Sequence, residues 1–355
     1  GNLGQGLSAG CGFALADHLH KRDTHIFVLM SDGEQTKGQV AEARRFAVKY
    51  GLKNITVIID NNNIQISGKT DDVMPCRICG NYRADGWETM EVDGHDFSAL
   101  YDAIKKSLEI PAPTCIIANT IIGKGVSFME NDYRYHGKTL DEKSYVKAME
   151  ELGLPPSLEK YKELRKKKWD YPERKFFFTP ELEKGSTVVY QKDEKTDNRS
   201  AYGKALLEIA KANKENRKYP FAVFDCDLAT SVKTDLFAKE FPSNFFQVGV
   251  QEHNAATISG VVSTDKVISF FSDFGVFGVD ETFNQARLND QNWTNLKLVC
   301  THVGLDVGED GKTHQCIDYI GTLRNLFGFK IVIPADPNQT DRVIRYVAGQ
   351  PGNWF

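Results

Sequence analysis

The chain has 355 residues, long enough for two domains of ordinary size. Hydrophobic residues make up 41% and charged residues 26%, the balance of a globular chain. A net charge of −4 with no basic block argues against nucleic acid, and no apolar run approaches the roughly 20 residues of a membrane span. Seven scattered cysteines, an odd count, favour reduced thiols and a cytoplasmic setting over a disulfide framework. Cys76 and Cys79 form one CxxC, without the second pair that a zinc site needs.

Taken in order, "GLSAGCGFALADHL" predicts a helix, "HIFVLM" a strand, "GQVAEARRFAVKYG" a helix closed by Gly51, and "NITVIID" a strand. "WETMEVD" predicts a short strand, "FSALYDAIKKSLE" a helix and "TCIIANTI" a strand. Residues 138–197 are charged and broken by prolines, a connector with some helix. From Asn198 the alternation resumes. "SAYGKALLEIAKAN", "EHNAATISGVVS", "VDETFNQARLND" and "IDYIGTLRNLF" predict helices; "FAVFDCD", "FFQVGV", "KVISFFS", "LKLVCTH" and "KIVIPAD" predict strands. Apolar strands alternating with amphipathic helices imply an α/β fold, with two domains each built on a largely parallel sheet flanked by helices. The expected division is 1–137, a linker 138–197, and 198–355. The chain opens inside a Gly-rich segment and stops at "PGNWF", where a further strand is expected, so both domains are expected to be incomplete.

The turn after "HIFVLM" carries Ser31-Asp32-Gly33-Glu34, and Asn61-Asn62-Asn63 end the next strand, thirty residues on from Asp32 to Asn62. Ligands of open α/β sheets bind beyond the carboxyl ends of strands. A carboxylate and an amide oxygen there suit Mg²⁺, a hard ion that takes oxygen ligands and can sit between Asp32 and a phosphate. Gly33 leaves room for backbone N–H groups to approach an anion. Asp-Gly and Asn are also ordinary turn formers, and both readings stand at this point.

The pattern resembles the diphosphate motif of thiamine diphosphate enzymes. "GNLGQGLSAG", "SDGE", "EVDGHDFSAL" and "GKGVSFMEN…HGK" look like the N-terminal half of transketolase, and "GVQEHNAATISG" and "GEDGKTHQ" like its middle domain. The resemblance implies a diphosphate-binding domain followed by a pyrimidine-binding domain. It also implies missing parts: histidines upstream of Gly1, and beyond Phe355 an arginine and a third domain.

The same resemblance implies the site. Asp32, Asn62 and the Ile64 carbonyl would hold Mg²⁺, with Ca²⁺ as a possible substitute. Gly33 would approach the diphosphate and Leu3 the aminopyrimidine. His136 would stand near the reaction centre. Glu252 would meet ring nitrogen N1′ and favour the imino tautomer, and Phe274 and Phe277 would pack around the pyrimidine. Phe271 lies in the same run, "SFFSDFGVF", and plain core packing is an alternative for any one of the three. Asp310 and His314 would bind the donor sugar, with His314 also handling protons and His302 a weaker candidate; Arg199 and Ser231 would bind its phosphate. Three positions depart from the family pattern: Ser31 before Asp-Gly, Asp280 where a Tyr is usual, and Lys312 in place of a Pro.

The implied activity is transfer of a two-carbon ketol unit from a ketose phosphate to an aldose phosphate through a thiamine diphosphate carbanion. The implied assembly is a homodimer with shared active sites. The rivals are a deoxyxylulose-phosphate synthase-like enzyme using pyruvate, and a catalytically weak thiamine diphosphate-binding scaffold.

Overall fold

The computed structural model describes residues 2–170 and 178–355. The chain forms two compact units, one from residues 2–6 and 27–170, the other from 7–26 and 178–355.

In the first unit, β1 (Ile26–Ser31), β2 (Ile55–Asn61), the two-residue strands β3 (Ile64–Gln65) and β4 (Gly68–Lys69), β5 (Glu88–Asp93) and β6 (Thr114–Asn119) follow one another. The main sheet has the order β1-β2-β6-β5, with β2 and β5 both parallel to β6; β3 and β4 form a separate antiparallel ribbon. The β-branched run of β2 is buried on both faces at its start, as a strand covered by helices must be. Helices Gly38–Lys49, Ile78–Ala84 and Phe97–Ser107 flank the sheet. Asp96 caps the last of these through the Ser98 and Ala99 amides.

The second unit carries β7 (Phe221–Asp225), β8 (Phe245–Gln247), β9 (Ile268–Phe274) and β10 (Lys297–Thr301), in the order β10-β9-β7-β8 and parallel throughout. Every residue of β9 is buried. Helix Glu252–Ser263 packs against helix Phe283–Gln291 through small residues: a Cβ on Gly260 would lie 1.9 Å from Asn289 Oδ1, and the Asn289 amide donates to the Ala256 carbonyl at 2.9 Å.

Three expectations change. "KIVIPAD" is not a regular strand. Only Lys330 bridges Trp354, with Val332 donating to the Phe355 carbonyl, because the pairing partner is just the short stretch Asn353–Phe355. "VDETFNQARLND" splits into a π-helical turn, Val276–Glu281, and an α-helix, Phe283–Gln291. "IDYIGTLRNLF" yields helix only over Tyr319–Leu323. Helices Ile78–Ala84 and Pro337–Ala348 form although no expectation covered them. In the connector, Glu142–Glu151 and Leu158–Lys166 are helical, and residues 171–177 lie outside the described set. All seven cysteines are free.

Candidate active site

In the first unit, Asp32 follows β1 and is 1% exposed. One carboxylate oxygen accepts the Gly33 amide at 2.7 Å. The other accepts the Asn63 amide at 2.7 Å and the Thr70 hydroxyl at 3.1 Å. Burial still pushes its pKa above the ordinary carboxylate range, against the pull of these donors. Asn62 closes the turn: its Oδ1 accepts the Ile64 amide at 2.9 Å and its Nδ2 donates to Asp60 at 3.1 Å. Asp32, Asn62 and Ile64 are thus linked through one compact, oxygen-rich turn, with Asn63 in the left-handed region at φ 59°.

Glu34 ties the Gly-rich start of the chain to the same turn. Its carboxylate accepts the Gly4 amide at 2.6 Å and the Ser31 amide at 2.8 Å. Leu3 is therefore held beside this turn, 64% exposed. The Gly33 amide is engaged by Asp32, so the glycine's contribution to an anion site is space. A Cβ there would stand 3.1 Å from Gln65 Cδ, and the buried Gln65 Nε2 has no hydrogen-bond partner. A buried, unpaired donor beside a turn of this kind fits an anionic oxygen. His136 stands exposed after the turn Tyr133–Tyr135, and the contacts of the described residues do not join it to Asp32.

In the second unit, Glu252 opens its helix and is 6% exposed. Its carboxylate, the Asp273 carboxylate and the Cys226 sulfur lie within 4.8 Å of one another. Burial, then the two acids, push the Cys226 thiol well up, so it stays protonated.

Just past Asp273, Phe274 and Phe277 stack with centroids 6.2 Å apart. His302 lies over Phe274 at 3.9 Å between centroids, and His314 meets Phe277 edge-on at 5.3 Å. Arg199 Nη1 reaches His302 Nε2 at 3.4 Å and donates to the Ser231 carbonyl at 3.3 Å. Burial lowers the His302 pKa, Arg199 lowers it further, and Asp310 opposes both. The second unit thus sets His302 and His314 on one aromatic pair, with Arg199 reaching His302 and the Ser231 carbonyl, and Asp310 acting on His302 by its charge. A cavity of about 680 Å³ opens beside β10, lined by Arg199, His302, Val332 and Phe355 among others. Glu252, Asp273 and Phe274 do not line it, so it adjoins the cluster rather than containing it.

Sequence reasoning passed over Asp273, Cys226 and Gln65. The signal for Asp273 was present: a single acid inside the apolar run "ISFFSDF". Asp280, where an aromatic wall was in doubt, lies in the π-helical turn close to Cys316 and Asp318.

A family model for the transketolase thiamine diphosphate binding domain matches residues 1–174, and one for the transketolase pyrimidine binding domain matches 194–353. The two units therefore belong to the class of thiamine diphosphate-binding α/β domains. The chain is similar to transketolase-like protein 2 of Bos taurus, 31% identical over 373 residues, covering 100% of this chain and 56% of that protein. It is similar to human transketolase, 28% identical over 372 residues with the same coverages. The transketolase structure from Campylobacter jejuni superposes with a TM-score of 0.85 at 26% identity, covering 99% of this chain and 60% of that one. A Pichia stipitis transketolase in complex with sedoheptulose 7-phosphate shares the fold, with a TM-score of 0.82 at 22% identity, covering 100% and 60%. The chain belongs to the transketolase family, and it spans about half the length of the curated relatives it matches.

Proposed function

We propose that the protein acts as a transketolase, moving a two-carbon ketol unit between sugar phosphates with thiamine diphosphate and Mg²⁺, in a homodimer with shared sites. The observation that carries this reading is the cluster at the carboxyl ends of β9 and β10. There a buried Glu252 neighbours Asp273, and Phe274 and Phe277 meet two histidines and Arg199.

Bound thiamine diphosphate supplies the nucleophilic carbon that cleavage next to a ketone requires. The chain's own residues supply the rest. Asp32, Asn62 and the Ile64 carbonyl offer the hard oxygen donors that Mg²⁺ takes, and Gln65 Nε2 and the Gly33 turn suit phosphate oxygen. Glu252 holds a proton at the ring-nitrogen position, and Phe274 and Phe277 exclude water from a flat ring. Arg199 offers a charge-assisted donor to a sugar phosphate. His314, with His302 beside it, is placed to bind the donor and to exchange its hydroxyl protons, and Asp310 to accept from a hydroxyl; His136 is assigned the reaction centre on family resemblance.

Val250, two residues before Glu252, is 77% exposed, and Leu3 is exposed as well. An apolar side chain left open beside the candidate residues of each unit supports cover by a second subunit. No described helix is long and apolar enough to cross a membrane, and a cytoplasmic location belongs to the same reading.

The test is thiamine diphosphate titration with Mg²⁺, followed by turnover with xylulose 5-phosphate and ribose 5-phosphate, against pyruvate with glyceraldehyde 3-phosphate. Cofactor binding with turnover of the sugars only is expected. Turnover of pyruvate would move the assignment to a synthase, and cofactor binding without turnover of either pair would favour a scaffold.

A further inference from the structure

Asp273 is an acid where the fold offers an acid almost nothing. It sits in a central strand buried along its whole length and is itself 0% exposed. One oxygen accepts the Phe274 amide at 2.8 Å; beyond that the buried carboxyl has only the weak donor of the Cys226 thiol among the described residues. Among the described residues, the groups that face it are Cys226 and Asp225 from the end of β7, Glu252 from its helix, and Cys300 from β10, and none of these is a cation. Asp225 is already engaged by the Leu228 amide, Thr234 and Gln247. The Cys226 thiol and the Glu252 carboxylate lie against Asp273, all three reactive atoms within 4.8 Å.

We propose that Asp273 and Glu252 form a buried carboxyl–carboxylate pair that carries one proton between them across the neutral range, with Asp273 a positioning residue for Glu252. Two carboxylates this close and this dry do not both ionise, since repulsion adds to the cost of burying each charge. The pair titrates as a unit, with one proton lost at low pH and the second retained. The direction on Asp273 agrees: burial, then Glu252 and Asp225, push it up to about 8.

A shared proton has a functional consequence that rests on the proposed transketolase reading. A carboxyl group that must hold a proton against a ring nitrogen needs one available at neutral pH. A lone glutamate near its ordinary pKa is almost wholly ionised there. The partner acid keeps that proton in the pocket and fixes the orientation of Glu252 toward it.

Infrared difference spectroscopy of the whole protein between pH 5 and pH 9 tests the pair directly. The wild type is expected to show a buried protonated-carboxyl band at pH 7 that disappears with a midpoint near 8. Asp273→Asn is expected to lack it. Glu252→Gln is expected to keep the band but lower its midpoint by about one pH unit, because it removes the facing charge. That second variant keeps the test alive if Asp273→Asn does not fold. A band that persists unchanged in Asp273→Asn, or a midpoint that Glu252→Gln leaves in place, overturns the pair. So does one equivalent of divalent metal in the purified protein that Asp273→Asn loses, since a cation would ionise both acids.

Thiamine diphosphate titration separates the two levels. Absence of cofactor binding in the wild type overturns the transketolase reading and with it the positioning role, while the pair stands or falls on its band. With cofactor bound, a shifted band supports the positioning role and an unshifted band overturns it.

Discussion

Asp32 and Asp273 are both buried acids at or near the end of a strand, one in each unit, and their surroundings treat them in opposite ways. Asp32 receives three donors, from Gly33, Asn63 and Thr70. Asp273 receives the Phe274 amide and the weak donor of the Cys226 thiol, and faces two other acids. Burial raises the pKa of both. The donors around Asp32 oppose that burial and the one acid nearby, Asp60, and suit a carboxylate that meets a cation. The acids around Asp273 add to it and leave a carboxyl that keeps its proton. What a buried acid does is decided by which dipoles and charges face it rather than by burial alone.

The sharpest way to break the comparison is at the residue facing Asp273. Glu252→Ala is expected to lower kcat by about 10³-fold or more, on the scale of losing a key electrostatic contact, with the fold retained. Wild-type-like turnover would remove Glu252 from the chemistry. On the other side, Asp32→Ala is expected to weaken Mg²⁺-dependent thiamine diphosphate binding by about 100-fold. It should also cost about 2 kcal/mol of stability, because three donors lose their acceptor. Calorimetric titration and urea unfolding read the two effects separately, and unchanged binding would argue against the metal turn.

The pH dependence sharpens the contrast. The pKa of Asp273 is higher folded than unfolded, so the folded chain holds a proton that the unfolded chain has released. Its favourable contribution is present below about pH 4 and is lost as pH rises toward about 8. Asp273→Asn is expected to flatten that decline, gaining about 1–3 kcal/mol on the wild type between pH 5 and pH 8. Urea unfolding at the two pH values measures it, and parallel curves would contradict it. The smallest effect is at Gln65. Gln65→Leu removes an unpaired buried donor, and the unliganded protein is expected to gain about 1 kcal/mol. Cofactor affinity should fall several-fold at the same time, and a variant that loses stability instead would show that Nε2 had a partner after all.

Much of the fold was legible because its signals are local. The apolar run of β2, the helix Gly38–Lys49 ending before Gly51, and the acid-capped helix Phe97–Ser107 each follow from periodicity and end residues over a dozen positions. The strand expected over "KIVIPAD" failed because strand identity depends on a partner. Here the partner is the short stretch Asn353–Phe355, which lies near in space and distant in sequence. Helix Pro337–Ala348 was written in its Asp336 cap and Pro337 start, signals that were available and not used.

The candidate site divides in the same way. Motif order placed Asp32, Asn62, Glu252 and the "GEDGKTH" loop, since each lies in a short stretch whose residue types suit one chemistry. Sequence by itself therefore determined the family and the two α/β units, and it named the candidate residues for a cofactor. Only the tertiary structure decided that Asp273 and Cys226 face Glu252, that Gln65 Nε2 is left unpaired beside Gly33, and that His302 lies on Phe274 within reach of Arg199. Those are meetings between residues from separate strands and helices. The proton balance they set depends on distance and dielectric, which chain order does not encode.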